Sequence, residues 1–341
     1  MPCLDIPRSF GECVGNCPFQ AHSSADDANL SPIHDTQGGT MFSRNGAEGN
    51  YEQSRVDSTL SKDVDENLAV VPQLVQVPNE KFEWPSTPVD PLDLRHRRAS
   101  TVSLVIPTKN EARNLSHVLE RIPDIVDEVI LVDGRSSDVS TLMAKSCRPD
   151  LRIIMEPSAG KGCALRAGFN ASSGDLIIAM DADGSMSPEE IPQYVHFLEN
   201  GFDLVKGSRF IAGGDSLDIT PLRRAGNRAL LRVANLFYEV KFTDLCYGFF
   251  GFRRIYLPYL DLNSTGFEIE TEIMVRASLI GLRIAEIPSL ELPRRHGGSN
   301  LHAIKDGQRV LKTILTERFL AASLHRMPAD VAASASPLLE P

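Results

Sequence analysis

No stretch of about 18 consecutive apolar residues occurs in this 341-residue chain, which argues against a membrane-spanning helix. The first twenty residues lack an apolar run after a basic start, so no signal peptide is expected. Basic residues are not in excess. The 35 Lys and Arg face 45 Asp and Glu, a net charge of −10, which is the wrong electrostatic footprint for a general nucleic-acid binder. Cysteines are few and unpatterned: Cys3, Cys13, Cys17, Cys147, Cys163 and Cys246. Cys13 and Cys17 lie four apart, but no His or second Cys pair follows at zinc-finger spacing, so the six read as scattered reduced thiols. These absences predict a cytoplasmic protein, soluble or peripheral at the inner face of the membrane, with no nucleic-acid partner.

The composition that is present divides the chain. Residues 1–101 carry 8 Lys and Arg against 15 Asp and Glu, a balance of −7, whereas residues 102–320 carry 26 against 28, a balance of −2. The acidity therefore belongs to the front. Residues 1–100 are rich in Ser, Asp, Asn, Gly and Pro and hold no sustained period of 2 or 3.6. Too little apolar surface is available there to offset the entropy of ordering, so a disordered segment is expected. Residues 321–341 share that texture and are expected to form a flexible tail.

From Val102 the pattern changes. VSLVI (102–106), EVILVD (128–133), LRIIM (151–155), DLIIAMD (175–181) and DLVKGS (203–208) read as buried strands. Helices are expected between them: to Ile122, over Val139–Ser146, over Gly162–Ala171, and from Pro188, which suits a first helical turn. Strands alternating with helices predict an α/β domain over 101–320, a mainly parallel sheet with helices on both faces. Ligands of such sheets lie beyond the carboxyl ends of the strands, so the strand exits are where chemistry is sought.

The strongest local signal is Asp181-Ala182-Asp183, leaving the apolar strand IIAM. Two carboxylates one residue apart at a strand exit can hold Mg²⁺ or Mn²⁺ together with the oxygens of a substrate diphosphate. Gly160-Lys161-Gly162, with Arg166 and Gly168, opens a helix whose N-terminus can face an anion, or it is simply a loop leading into a helix. Glu111 and Asp133 follow the first two strands, where acids can hold the hydroxyls and base of a nucleotide. Asp138 suits a ligand role or a helix cap equally. Residues 206–254 carry nine basic residues against four acids. Arg224, Arg228 and Arg232 line one side of an amphipathic helix within 222–240, a shape for an anionic surface, a phosphate or plain solvent. Asp244 precedes an aromatic strand. Glu268, Glu270 and Glu272 alternate, so in a helix they cannot share one face; one is expected to be functional and the others on the surface.

Together and in this order, VIPTKNE (105–111), LVDGRSSD (131–138), GKGCALRAG (160–168), MDADGS (180–185), KGSRF (206–210), RRAGN (223–227), DLCYGFFGFRR (244–254) and RRHGGSNL (294–301) resemble the family 2 glycosyltransferases. The branch they are most similar to is the polyprenyl (dolichyl) phosphate mannose or glucose synthases. The resemblance implies a GT-A, Rossmann-like fold and a nucleotide-diphosphate sugar donor, with inversion at the anomeric carbon. It implies that Pro107, Glu111, Asp133, Lys161 and Asp181 bind the donor and that Asp181 and Asp183 hold the metal. Arg209, Arg223, Arg224 and Asn227 would face donor and acceptor phosphates. Where relatives carry paired acids, this chain has Asp133-Gly134-Arg135.

The expected reaction is direct displacement at the anomeric carbon, with Asp181, Asp183, the cation and Lys161 stabilising the departing diphosphate. A lipid-phosphate acceptor at a membrane surface is already ionised and needs no base; Arg209, Arg223 and Arg224 would orient it. A hydroxyl acceptor, on a glycan or metabolite, does need one, and Asp244 and then Glu268 are the candidates. The basic 206–254 region favours phosphate. A nucleotidyltransferase fits less well, because its Gly-rich loop belongs just after the first strand, where PTKNE stands. A non-catalytic nucleotide-sugar binder would have no need of the acid pair.

Overall fold

Apolar residues alternate between the two faces of the central strands, and both faces are covered. In the computed structural model, which describes residues 74–76, 100–238 and 240–320, the central sheet is built from β1 (Leu74–Gln76), β2 (Val102–Thr108), β3 (Glu128–Asp133), β4 (Arg152–Met155), β5 (Leu176–Ala179), β6 (Leu204–Ser208), β8 (Phe250–Arg253) and β9 (Ile284–Pro288). Their order across the sheet is β1-β9-β6-β8-β5-β2-β3-β4. All pairings are parallel except those of β8, which runs antiparallel to β5 and to β6 between them. A two-residue ribbon joins β7 (Asp215–Ser216) to β10 (Leu290–Glu291).

Val105, Ile130, Val132, Ile177 and Ala179 point to one face of the sheet, whereas Leu104, Ile106, Leu131, Leu176 and Ile178 point to the other. This two-sided burial is what a parallel sheet requires, and it explains the near-continuous apolar runs. On the first face lie α3 (Lys161–Ala171), α5 (Pro221–Phe237), α7 (Ile269–Leu279) and α8 (Ala303–Leu320). On the second lie α1 (Ala112–Leu119), α2 (Ser140–Cys147) and α4 (Ile191–Glu199), and a short α6 (Leu257–Leu260) follows β8. Gly168 lets α3 lie flat on the sheet, since a Cβ there would fall 2.3 Å from a methyl of Val105. Phe169 packs edge-on against Phe250 and Phe252, fastening α3 to the reversed strand.

Helix α5 starts where Thr220 Oγ1 accepts from the Arg223 N–H at 3.3 Å and Pro221 occupies the first turn, which needs no donor there. Helices α7 and α8 are joined by a buried ion cluster, in which Arg276 binds Glu317 at 2.7 Å and Glu272 at 3.1 Å.

Five expected strands are present within a residue or two of their expected ends. The segment expected to lack structure contributes β1, whose residues pair with Ile284–Glu286 of β9. The rest of that segment and the expected tail at 321–341 lie outside the described residues.

Candidate functional site

The parallel strands deliver their exit residues to one end of the sheet, and those residues form a wall. Pro107, Glu111, Gly134, Asp181 and Asp183 line a cavity of about 710 Å³ there. The reversed strand β8 enters at this same end, bringing Tyr247 and Gly248 into the wall. The opposite side is made by α5 and α8, through Leu222, Arg223, Asn227, Leu230, Ile304 and Leu311.

Lys161 sits at the first residue of α3 with its ammonium between Asp181 (2.5 Å) and Glu270 (2.8 Å). Burial opposes a charged lysine, but the two carboxylates outweigh it and hold Lys161 protonated. Burial in turn pushes Glu270 up, against the pull of Lys161, because this acid is 2% exposed and shares its cation with Asp181. The backbone passes close here: a Cβ on Gly248 would lie 2.7 Å from Lys161 Nζ and 2.9 Å from Asp181 Oδ2. The first amides of α3 do not face the cavity as free anion donors, since the N–H groups of Gly162 and Cys163 donate to Thr265 O at 3.0 and 3.3 Å. Of the GKG segment, Gly160 and Lys161 line the cavity.

Asp183 accepts from the Ser185 N–H and hydroxyl at 2.9 and 2.6 Å, which fixes its orientation. Its other oxygen binds Arg294 at 2.8 Å, and Arg294 also binds Glu111 at 2.6 Å. Burial raises the Glu111 carboxyl despite the hydrogen bonds from Arg294 and Asn114. Asp133, fully buried at the end of β3, accepts from the Ser136 N–H at 3.0 Å and keeps Oδ1 without a partner. Asp138 has a structural role, accepting from Ser140 N–H at the start of α2 and from Ala112 N–H at the start of α1.

The residues present fit a divalent cation. Asp181 and Asp183 bring two carboxylates to the cavity wall at one strand exit, the hard oxygen donors such an ion takes. Among the described residues no group of three or more His, Cys, Asp or Glu is placed to hold a metal alone. Ions bound at Asp181 and Asp183 would therefore take their remaining oxygens from a substrate and from water, as Mg²⁺ usually does.

Several expected roles change. Asp244 is fully buried beneath Arg209, outside the cavity lining; Arg209 Nε donates to it at 2.7 Å and Nη2 at 3.0 Å. Burial raises the Asp244 carboxyl, but the charge and hydrogen bonds of Arg209 outweigh this and keep it low, so it supports Arg209 and is not placed as a base. Arg209 reaches the cavity with its charge already matched by Asp244 and by Glu291 at 3.1 Å. Arg223 lines the cavity and lies 3.7 Å from Asp218. Arg224 instead stacks over Phe210 at 5.5 Å and borders a neighbouring depression with Arg228. Glu268, Glu270 and Glu272 are all buried, contrary to the expectation that two would be on the surface. Glu268 does not line the cavity; it accepts from Gly266 N–H and Arg309 and so is not placed as a base either. Sequence reasoning passed over Arg294 and Glu291, although RRHGGSNL, the run containing Arg294, was the visible signal.

A sheet with one reversed strand, a strand-exit acid pair and a buried lysine in a shared cavity define the GT-A glycosyltransferase class. A sequence profile described as Glycosyl transferase family 2 matches residues 103–259. Glycosyltransferase AglJ from Haloferax volcanii is 30% identical over 212 residues, which cover 60% of this chain and 68% of that protein. Dolichol-phosphate mannosyltransferase from Pyrococcus furiosus is 30% identical over 211 residues, so the chain spans 59% of that relative's length. The crystal structure of glucosyl-3-phosphoglycerate synthase from Mycobacterium tuberculosis, in complex with Mn²⁺, uridine-diphosphate and phosphoglyceric acid, superposes with a TM-score of 0.56 at 21% identity. It covers 73% of this chain and 87% of that one, a likeness of fold. The chain belongs to glycosyl transferase family 2.

Proposed function

We propose that this chain transfers a hexose from a UDP- or GDP-linked donor to a polyprenyl-phosphate-type acceptor, with inversion, using Mg²⁺ or Mn²⁺ at Asp181 and Asp183. The observation that carries the acceptor class is the two-sided cavity. One wall holds Asp181, Asp183 and Lys161, while the other sets Arg223 among Leu222, Leu230, Ile304 and Leu311. An arginine flanked by these apolar side chains, on a wall that also carries Asp218, Asn227 and Asp306, suits a phosphate carried on a hydrocarbon chain. The name of a further relative, dolichyl-phosphate hexose transferase from Haloferax volcanii, 28% identical over 218 residues and covered over 92% of its length, supports the same class.

In this reading Pro107 and Glu111 hold the nucleoside from the cavity wall, and Asp133, buried and outside the cavity lining, offers its unpartnered Oδ1 from behind that wall. Lys161 places its ammonium against the departing diphosphate, an electrostatic contribution that grows as charge develops there. The cation would add further charge stabilisation to that leaving group. Arg223 orients the acceptor phosphate, whose oxygen attacks the anomeric carbon as the carbon–diphosphate bond breaks. The phosphate is ionised near neutral pH, so no base is needed, in keeping with Asp244 lying outside the cavity. Arg209, locked by Asp244 and Glu291, keeps the floor rigid.

Donor turnover tests the reading. Purified protein is incubated with Mg²⁺ or Mn²⁺, UDP- and GDP-sugars and a short-chain polyprenyl phosphate, with Asp183→Ala alongside. Nucleoside diphosphate released only with the lipid, and lost in the variant, is the expected result. Release that ignores the lipid would move the assignment to a hydroxyl acceptor, and no release under any condition would overturn it.

A further inference from the structure

Three side-chain atoms on the cavity wall are buried without a hydrogen-bond partner: Asn227 Nδ2, Asn227 Oδ1 and Glu270 Oε2. Asn227 projects from α5 and is only 4% exposed. Buried amides in folded proteins are almost always bonded, to protein or to ordered water, so Asn227 offers its amide to the contents of the cavity it lines.

The atom types restrict that partner. Nδ2 carries two N–H donors and is satisfied by any oxygen; Oδ1 only accepts and needs an O–H or N–H. Glu270 already gives one oxygen to Lys161, and its other oxygen makes the same demand for a donor hydrogen. Two of the three orphans therefore ask for hydrogens. An ionised phosphate has none to give, and neither the acceptor phosphate nor the diphosphate can satisfy Asn227 Oδ1. Hydroxyls can, and an adjacent pair also offers Nδ2 an oxygen; with the nucleoside assigned to the wall of Pro107 and Glu111, those of the hexose are the ones left for Asn227 on α5.

We infer that Asn227 is a specificity-determining residue that reads a hydroxyl of the transferred hexose, rather than a ligand of the acceptor phosphate. The inference rests on the proposed function for its hexose donor. A site that hydrogen-bonds a substrate hydroxyl strongly rejects the analogue lacking it, because its own polar atoms are then left unpaired.

The full chain and the Asn227→Leu and Asn227→Ala variants are compared, each first matched to the parent by circular dichroism. Calorimetric binding is measured for the nucleoside diphosphate alone, for the preferred nucleotide hexose, and for its monodeoxy and deoxyfluoro analogues. Fluorine accepts weakly and cannot donate, so it isolates the hydrogen given to Oδ1. The parent protein should lose roughly tenfold or more in affinity for both analogues at one ring position. Both variants should bring those ligands within about threefold of one another while binding the nucleoside diphosphate as before. Selectivity kept in both variants, or no dependence on any hexose hydroxyl in the parent, overturns the inference. Asn227-dependent selectivity without transfer to polyprenyl phosphate would overturn the acceptor assignment and leave this inference standing.

Discussion

Glu286 lies fully buried on β9, accepting from the N–H groups of Thr243 and Asp244 and from the Thr243 hydroxyl. Burial pushes its carboxyl up to about 7, although the Thr243 and Asp244 hydrogen bonds pull the other way. The folded protein then holds a proton that the unfolded chain, at about 4.5, has released. This contribution is fully present below about pH 4.5 and is lost as pH rises through about 7. Glu286→Gln should remove that loss, gaining about 1–3 kcal/mol relative to the parent between pH 5 and pH 8 in urea unfolding. Parallel pH profiles for the two proteins would show the carboxyl to be ionised throughout. Residues of this kind were hidden in the sequence. An alternation such as Glu268, Glu270, Glu272 looks solvated until the partners are known, and those partners are Arg309, Lys161 and Arg276. Asp181 and Asp183 were legible because a strand exit fixes where they point, whatever the distant chain does, and Lys161 because its flanking glycines marked a helix start.

Arg294 belongs to a strap that runs along the acid turn. Leu292 N–H donates to Ser185 O at 2.8 Å, Arg295 N–H reaches Asp183 O at 3.4 Å, and the Arg294 guanidinium occupies Asp183 and Glu111. A cation entering there competes with that guanidinium. Arg294→Ala should tighten Mn²⁺ binding in the absence of donor by about tenfold, close to 1.4 kcal/mol, read by calorimetry. Unchanged or weaker binding would show that the arginine does not compete. Helix α8 depends on a second arginine: removing Glu317 leaves Arg276 with Glu272 at 3.1 Å and the Leu260 and Asp261 carbonyls. Glu317→Ala should cost about 2–3 kcal/mol and lower the melting temperature by about 5–10 °C, with a loss under 1 kcal/mol counting against the buried pair. At this scale the alternating strands β2 to β6 were readable from apolar runs alone. The direction of β8 was not, because an apolar run reports burial and says nothing of which neighbour it joins.

Among the described residues, α5 and α8 turn an apolar side toward the cavity mouth. Leu222, Ala229 and Leu236 recur every seventh residue along α5, and Ile304, Leu311, Leu315 and Phe319 follow one side of α8. Leu222 is 65% exposed and Ile304 72%, with exposed Arg228, Arg232, Lys305 and Lys312 on the same two helices. No helix among the described residues is long and apolar enough to cross a membrane. Such a surface is suited to the boundary of an anionic bilayer. The protein should sediment with phosphatidylglycerol vesicles at low salt and be released as salt rises, and Leu222→Glu combined with Ile304→Glu should abolish sedimentation. Binding that ignores both salt and those substitutions would assign attachment elsewhere.

The reversed course of β8 reaches beyond the geometry of one site. Strand β6 leaves the sheet at the same end where β8 enters it, so the intervening stretch 209–249 departs and returns at a single rim. That stretch is a cassette: it carries α5 and thus much of one cavity wall. A lineage that exchanges such an insert for another of different length changes the wall that faces the substrate, Asn227 included, while Asp181, Asp183 and Lys161 stay where β5 and α3 place them.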